Sequence, residues 1–173
     1  MEVLTAIHTA RAVRRFDAHP VDPASLDRIL NAGRLSPSSK NEQRWAFILC
    51  TDREHLRQLS KVGVYAGHVA DAGAAIAVVV PESDIDWERE SIAFDAGQCC
   101  RNMMLAAWEL GIGSCHASVY DEGLTRELLG YPEGMRCDLL LSLGYVADPA
   151  SLTRPIPESS RKPMSELLHR ERW

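Results

Sequence analysis

The chain lacks the features that mark most specialised protein classes. Aromatic residues are only 6% of its 173 positions. Lysine plus arginine number 19 against 24 for aspartate plus glutamate, so the net charge is −5. That balance leaves no general basic footprint for nucleic acid or an anionic bilayer. The longest apolar runs, such as 74–80 and 139–143, fall far short of the about 20 residues a spanning helix needs. No signal peptide is expected in residues 1–20, because Glu2, His8, Arg11, Arg14 and Arg15 interrupt any apolar stretch. The five cysteines are an odd number with no C-x-x-C pair, which argues against a disulfide framework or a zinc ribbon and for reduced thiols. What remains is ordinary: 46% hydrophobic and 25% charged residues, with no repeat and no linker. The expectation is a soluble, cytoplasmic protein with one domain over 1–173, binding neither nucleic acid nor membrane.

Periodicity and capping signals divide the chain into alternating helices and strands. Val3, Leu4, Ile7 and Ala10 form the apolar stripe of an opening helix. A second helix has Asp22 as N-cap and Pro23 at its first position, with Leu26, Ile29 and Leu30 buried and Gly33 at its stop. A polar loop, 36–44, precedes a short strand at 46–51. Asp52 caps a helix to about Lys61, a short helical piece covers 66–72, and 74–80 is a β-branched strand. The longest helix runs from about Trp87 to Leu110 and ends at Gly111, with small residues throughout that suit packing on several sides. A weaker strand at 113–118, a helix at 124–129, a strong strand at 136–146 and a turn at 164–169 complete the chain. Strands dispersed among helices point to a layered α/β fold.

Few residues announce their own chemistry. Arg11, Arg14 and Arg15 lie within five positions, a cluster suited either to gripping a phosphate or to a solvated basic face. Gly111-Ile-Gly113 closes a helix and is not a G-x-G-x-x-G fingerprint; no Walker A loop occurs either. Cys115 and His116 are adjacent on an extended segment and point to opposite faces, which suits a packed thiol better than a nucleophile and base. His55 and His68 are isolated, His8 lies on an amphipathic helix and His169 near the terminus, so no ligand spacing for a metal appears. A chain without evident acid–base or nucleophilic apparatus can rely on an organic cofactor for the difficult step.

Taken in order, Arg11-Ala-Val-Arg-Arg-Phe16, Leu30-Asn-Ala-Gly33 and Ser36-Pro-Ser-Ser-Lys-Asn-Glu-Gln-Arg-Trp45 resemble motifs of the nitroreductase family of FMN-dependent oxidoreductases. Phe94-Asp-Ala-Gly-Gln98 with Asn102–Ala107, Leu110–Gly113, Leu128–Gly134, Leu143–Tyr145 and Glu171–Trp173 extend the likeness along the chain. The resemblance implies a three-layer α/β fold of α+β type, with a central mixed or antiparallel sheet flanked by helices. It implies non-covalent FMN at the interface of an intertwined homodimer. Arg11, Arg14 and Arg161 would hold its phosphate, with Ala12 approaching through its backbone. Pro37, Ser38, Ser39 and Asn41 would contact the other subunit's flavin, and His116, Ala117 and Ser118 would lie against the ring with their main chain. No side chain is assigned a catalytic role, and no metal is implied. The implied activity is ping-pong hydride transfer from NADH or NADPH to a nitroaromatic- or quinone-like acceptor. Another flavin reaction on the same fold, or FMN storage without turnover, are the alternatives. Two positions depart from the motif: Ala12 replaces the usual serine, and Arg44 replaces the usual proline and adds charge near the pocket. The chain is also shorter than the best-known members, so a helical insertion is expected to be reduced or missing.

Overall fold

Four strands build the centre: β1 (Ala46–Cys50), β2 (Ala74–Pro81), β3 (Ile112–Ser118) and β4 (Met135–Tyr145), in the spatial order β1-β2-β4-β3. Every neighbouring pair is antiparallel. The structure, a computed structural model, describes residues 1–17 and 19–173.

β2 shows why the sequence reads apolar without alternation. Ala74, Ile76, Val78 and Val80 face one core, while Ala75, Ala77 and Val79 face another. Antiparallel sheets often keep one face wet; here both are covered, so both parities must be apolar. The ladder with β4 slips at Val78/Val79, which pair with Leu139 and Cys137, leaving Asp138 as the extra residue of a bulge. That bulge lets Cys137 and Leu140 face the same core although they are three apart. Asp138 itself turns outward and pairs with Arg136 at 3.0 Å.

The first core lies under α2 (Pro23–Arg34) and α4 (Asp86–Glu109), the second under α3 (Arg53–Leu59), a 3₁₀ turn at 66–69 and α5 (Glu122–Leu129). Local chemistry starts these helices as expected. Asp22 accepts from Ser25 N–H at 2.9 Å, Asp52 from His55 N–H at 2.8 Å and Asp121 from Leu124 N–H at 2.9 Å. α3 ends two residues short of Lys61, its chain continuing in looser turns.

Two sequence expectations need correction. α2 ends at Arg34, one residue past Gly33, but this glycine is still helical and its role is packing: a Cβ there would come within 2.8 Å of Met103 Cγ on α4. Its lack of a side chain sets how closely the two helices approach. In α1 (Val3–Thr9) most of the apolar stripe does not face the core. Val3, Leu4 and Ile7 are 70%, 69% and 44% exposed; of the stripe only Ala10 is buried, together with Ala6 and Thr9. This small-residue face receives the buried Trp108, whose indole N–H donates to Thr9 Oγ1 at 2.9 Å. Periodicity locates an apolar face, but it cannot say whether the chain's own core covers it. Among the described residues no helix is long and apolar enough to cross a membrane.

Candidate active site

β3 is an edge strand, and its outer side is only partly covered. The segment 11–16 crosses it: Val13 N–H donates to the Ser114 carbonyl at 2.9 Å, and single bridges join Ala12 to Ser114 and Phe16 to Val146. Two glycines admit that crossing. A Cβ at Gly113 would lie 2.7 Å from Val13, and one at Gly144 would lie 2.7 Å from the Phe16 ring. Gly111 serves differently, turning the chain out of α4 at φ +74°. Hence the glycines before Cys115 are demanded by backbone shape and close approach.

The direction of the edge amides follows from the register. Successive residues of an antiparallel strand send their N–H and C=O groups alternately to either side. The Leu143 carbonyl accepts from Gly73 N–H on the β2 side, so its partner Ser114 points away from β4, as the bond to Val13 requires. Two residues on, His116 repeats that setting opposite Leu141, and Ser118 repeats it opposite Leu139. Both are exposed. The Ser118 carbonyl is closely approached by Gly63, where an added Cβ would meet it at 2.3 Å. Ala117 is set back: its methyl lies in the second core and its main chain belongs to the ladder with β4. His116 and Ser118, but not Ala117, therefore present donors at the free edge.

Among the described residues, Arg11, Arg14 and Arg161 have no carboxylate partner, and the first two lie on the segment that crosses this edge. Arg14 is exposed and, among the described residues, makes no hydrogen bond or ion pair. Its charge reaches His68 and Cys115. Among the described residues Arg11 binds only carbonyls, those of Thr9 at 3.1 Å and of Arg154. Arg161, among the described residues, bonds only to the neighbouring Ser160, and it lines a groove of about 910 Å³ between α1 and a C-terminal strap, residues 153–164, with His8, Thr9 and Lys162. The strap is tied to α1 by Ile156 N–H donating to the His8 carbonyl at 2.8 Å. Exposed guanidinium groups without acid partners suit a phosphate dianion.

The loop 36–44 stands apart. It leads into β1, the opposite edge of the sheet from β3, and no hydrogen bond or ion pair among the described residues joins it to Arg11, Arg14, His116 or Arg161, so one chain does not bring the predicted site residues together. Pro37 instead lines a groove of about 530 Å³ along α4 with Phe94, Gly97 and Arg101. The loop carries positive φ at Lys40, Asn41 and Gln43 (51°, 59° and 51°), a costly conformation for residues with side chains. Asp95 holds it there. This carboxylate, 3% exposed, accepts from Ser39 N–H at 3.0 Å, while Ser38 Oγ accepts from Gln43 N–H at 2.9 Å. Arg44 does not project into a pocket. It packs against α4, with Glu42 at 3.1 Å, Glu88 at 3.3 Å, Asp95 at 3.9 Å and the Ser91 hydroxyl at 3.0 Å. Asp95 was recognisable in the sequence as an acid at buried-face spacing among Ile92, Ala96 and Cys99.

The titratable groups near the edge do not make a nucleophile. Cys115 is 1% exposed and burial pushes its thiol up, although the charge of Arg14 pulls the other way. His68, on the 3₁₀ turn, contacts Ser142 Oγ through Nδ1 at 2.9 Å. Burial lowers its pKa, and the neighbouring Arg14 and His116 lower it further. Sequence spacing had left His68 isolated; only the topology supplies its partner.

Comparisons with known proteins identify the family and the fold. The family model described as "Nitroreductase family" matches residues 7–74 and 62–145. An Archaeoglobus fulgidus protein named "Putative NADH dehydrogenase/NAD(P)H nitroreductase" is 33% identical, over 99% of each chain. A Bacillus subtilis FMN reductase of the NAD(P)H type is 26% identical over 99% of this chain and 74% of its own. Among solved structures, an FMN-dependent nitroreductase from Clostridium difficile superposes with TM-score 0.85 at 25% identity, covering 99% of this chain and 100% of its own.

Proposed function

The chain belongs to the nitroreductase family of oxidoreductases, and from that premise we propose that residues 1–173 form one FMN-binding domain that oxidises NAD(P)H. The observation that carries the reading is the free edge of β3, where His116 turns its N–H outward and the charge of the exposed Arg14 reaches the neighbouring Cys115. An anionic, hydrogen-bonding ligand fits that donor set. Bound FMN would supply the hydride chemistry, taking electrons from NADH or NADPH and passing them to a small organic acceptor of nitroaromatic or quinone type.

The chain's own residues bind and orient. Arg11, Arg14 and Arg161 offset the phosphate charge, and Ala12 leaves room for the backbone to approach. The His116 and Ser118 main chain, held on a ladder strand, supplies rigid donors whose orientation costs no reorganisation. Ala117 contributes by fixing that strand in the second core. Pro37, Ser38, Ser39 and Asn41 complete the site from a second copy, because within one chain they lie apart from the edge. A homodimer also accounts for the apolar groups left uncovered: Val3, Leu4, Phe94, Leu167 and Trp173 are all more than half exposed.

The test is the visible spectrum of purified protein before and after anaerobic addition of NADH, with sedimentation alongside. Bleaching of a stoichiometric flavin in a dimer is the expected result. Bound flavin that neither NADH nor NADPH reduces would identify a storage protein, and a monomer retaining full FMN would refute the interface site.

A further inference from the structure

On the reading that the free edge of β3 receives FMN, we infer that His68 and Ser142 are positioning residues that strengthen the outward His116 N–H through the peptide group linking Cys115 to His116. Ser142 is fully buried, and its hydroxyl donates to the Cys115 carbonyl at 3.0 Å. A serine hydroxyl has one proton. With that proton committed to Cys115, the 2.9 Å contact from His68 Nδ1 to Ser142 Oγ is donated by the imidazole, which fixes the Nδ1–H tautomer.

The chain of donors ends on a significant atom. The Cys115 carbonyl and the His116 N–H are opposite ends of one conjugated peptide unit. The carbonyl points toward β4, where Cys115 also sits opposite Ser142 in the ladder, and the N–H points to the free edge. Hydrogen bonds accepted at the carbonyl draw electron density through the C–N bond and make the N–H a better donor, by roughly 10–30% per bond. The relay delivers a second bond to that carbonyl beyond the one the ladder provides. It acts at one edge peptide, the one linking His116 to Cys115, which the charge of Arg14 reaches.

The surroundings keep the relay in one state. Arg14 and His116 are the charged and titratable groups whose fields reach the His68 ring, and both oppose its protonation. The ring is half-buried on the 3₁₀ turn, whose Ala66 and Val69 are anchored in the second core. Cys115 Sγ lies outside the relay, 3.4 Å from the His116 carbonyl.

The experiment begins with flavin-free, ¹⁵N-labelled protein, so it does not depend on FMN uptake. Ser142→Ala and His68→Leu should each move the His116 amide nitrogen upfield in the ¹H–¹⁵N spectrum. His68→Asn, which keeps an N–H donor for Ser142, should restore it. In FMN-loaded protein the two deletions should disfavour the reduced flavin about twofold, equivalent to about 9 mV for a two-electron couple, and His68→Asn should not. An unmoved His116 amide in both deletions overturns the relay, as does His68→Asn shifting it as far as His68→Leu. Failure to take up FMN would refute the reading of the site, while the flavin-free spectra would still decide the relay.

Discussion

Arg14 and Arg44 belong to two polar segments of similar appearance in the sequence, and the fold uses them in opposite ways. Arg44 is surrounded by Glu42, Glu88 and Asp95, and its side chain is 13% exposed. Arg14 has no acid partner among the described residues and faces solvent beside an edge strand. Compensation, more than charge density, separates a structural cation from one available to a ligand. A largely buried guanidinium must be paired because its desolvation is costly. An exposed cation keeps its hydration until an anion replaces it.

The comparison breaks first where the effect is largest. Replacing Arg11 and Arg14 together by Ala should lower FMN affinity at least a hundredfold, since each removes a charge-assisted bond of about 1.5–3 kcal/mol. The Arg14→Ala change alone should leave the melting temperature nearly untouched, because the side chain is exposed. Titration of apoprotein by flavin fluorescence checks the first outcome and calorimetry the second. Unchanged affinity in the double variant would refute the phosphate assignment.

Next comes the edge donor. His116→Pro removes the outward N–H on the side where an edge strand tolerates proline, so the protein should fold but be reduced a hundredfold or more slowly. Ala117→Pro, by contrast, removes a ladder bond and should lower stability instead. Stopped-flow reduction and thermal melts distinguish the two; equal behaviour would mean the edge has been misassigned.

Asp95→Ala tests the opposite case. It strips Arg44 of its most buried partner and Ser39 N–H of its acceptor, and should cost about 2 kcal/mol in urea unfolding. The loss stays moderate because Glu42 and Glu88 still face the guanidinium. A neutral result would show that the positive-φ loop holds itself.

The smallest effect is a pH dependence. The folded pKa of His68 lies below its unfolded value, so the unfolded state binds more protons in that interval. Stability should therefore decline as pH falls from about 6.5, and His68→Leu should lack that increment. Melting temperatures between pH 5 and 8 give the comparison.

Much of the architecture was legible because its causes are local. Asp22, Asp52 and Asp121 cap helices through bonds spanning three residues, and β2 is β-branched whatever surrounds it. The face of α1 was not legible, because Val3, Leu4 and Ile7 form a stripe whose coverage depends on more than this chain's own core. Gly33 was misread for a related reason: a helix-crossing glycine and a helix stop look alike until Met103 is placed against it. At the site, the segments 11–16 and 36–44 were visible as motifs, but which amides of β3 face outward depends on register. His68 had no sequence neighbour to give it meaning; its partner lies 74 positions away.

The five thiols tell what kind of neighbourhood the chain can inhabit. Each is buried and free, and burial pushes Cys50 and Cys100 to about 11 and Cys99 and Cys137 to about 12, with Cys115 also raised. Peroxide attacks thiolates, and these groups hold their protons well above neutral pH. Reduced flavins leak electrons to dioxygen and so generate peroxide beside the protein that binds them. A catalyst with exposed, acidic cysteines would consume itself under such a flux. Here the sulfur is spent as packing material, and its thiols stay protonated where a thiolate would be the group attacked.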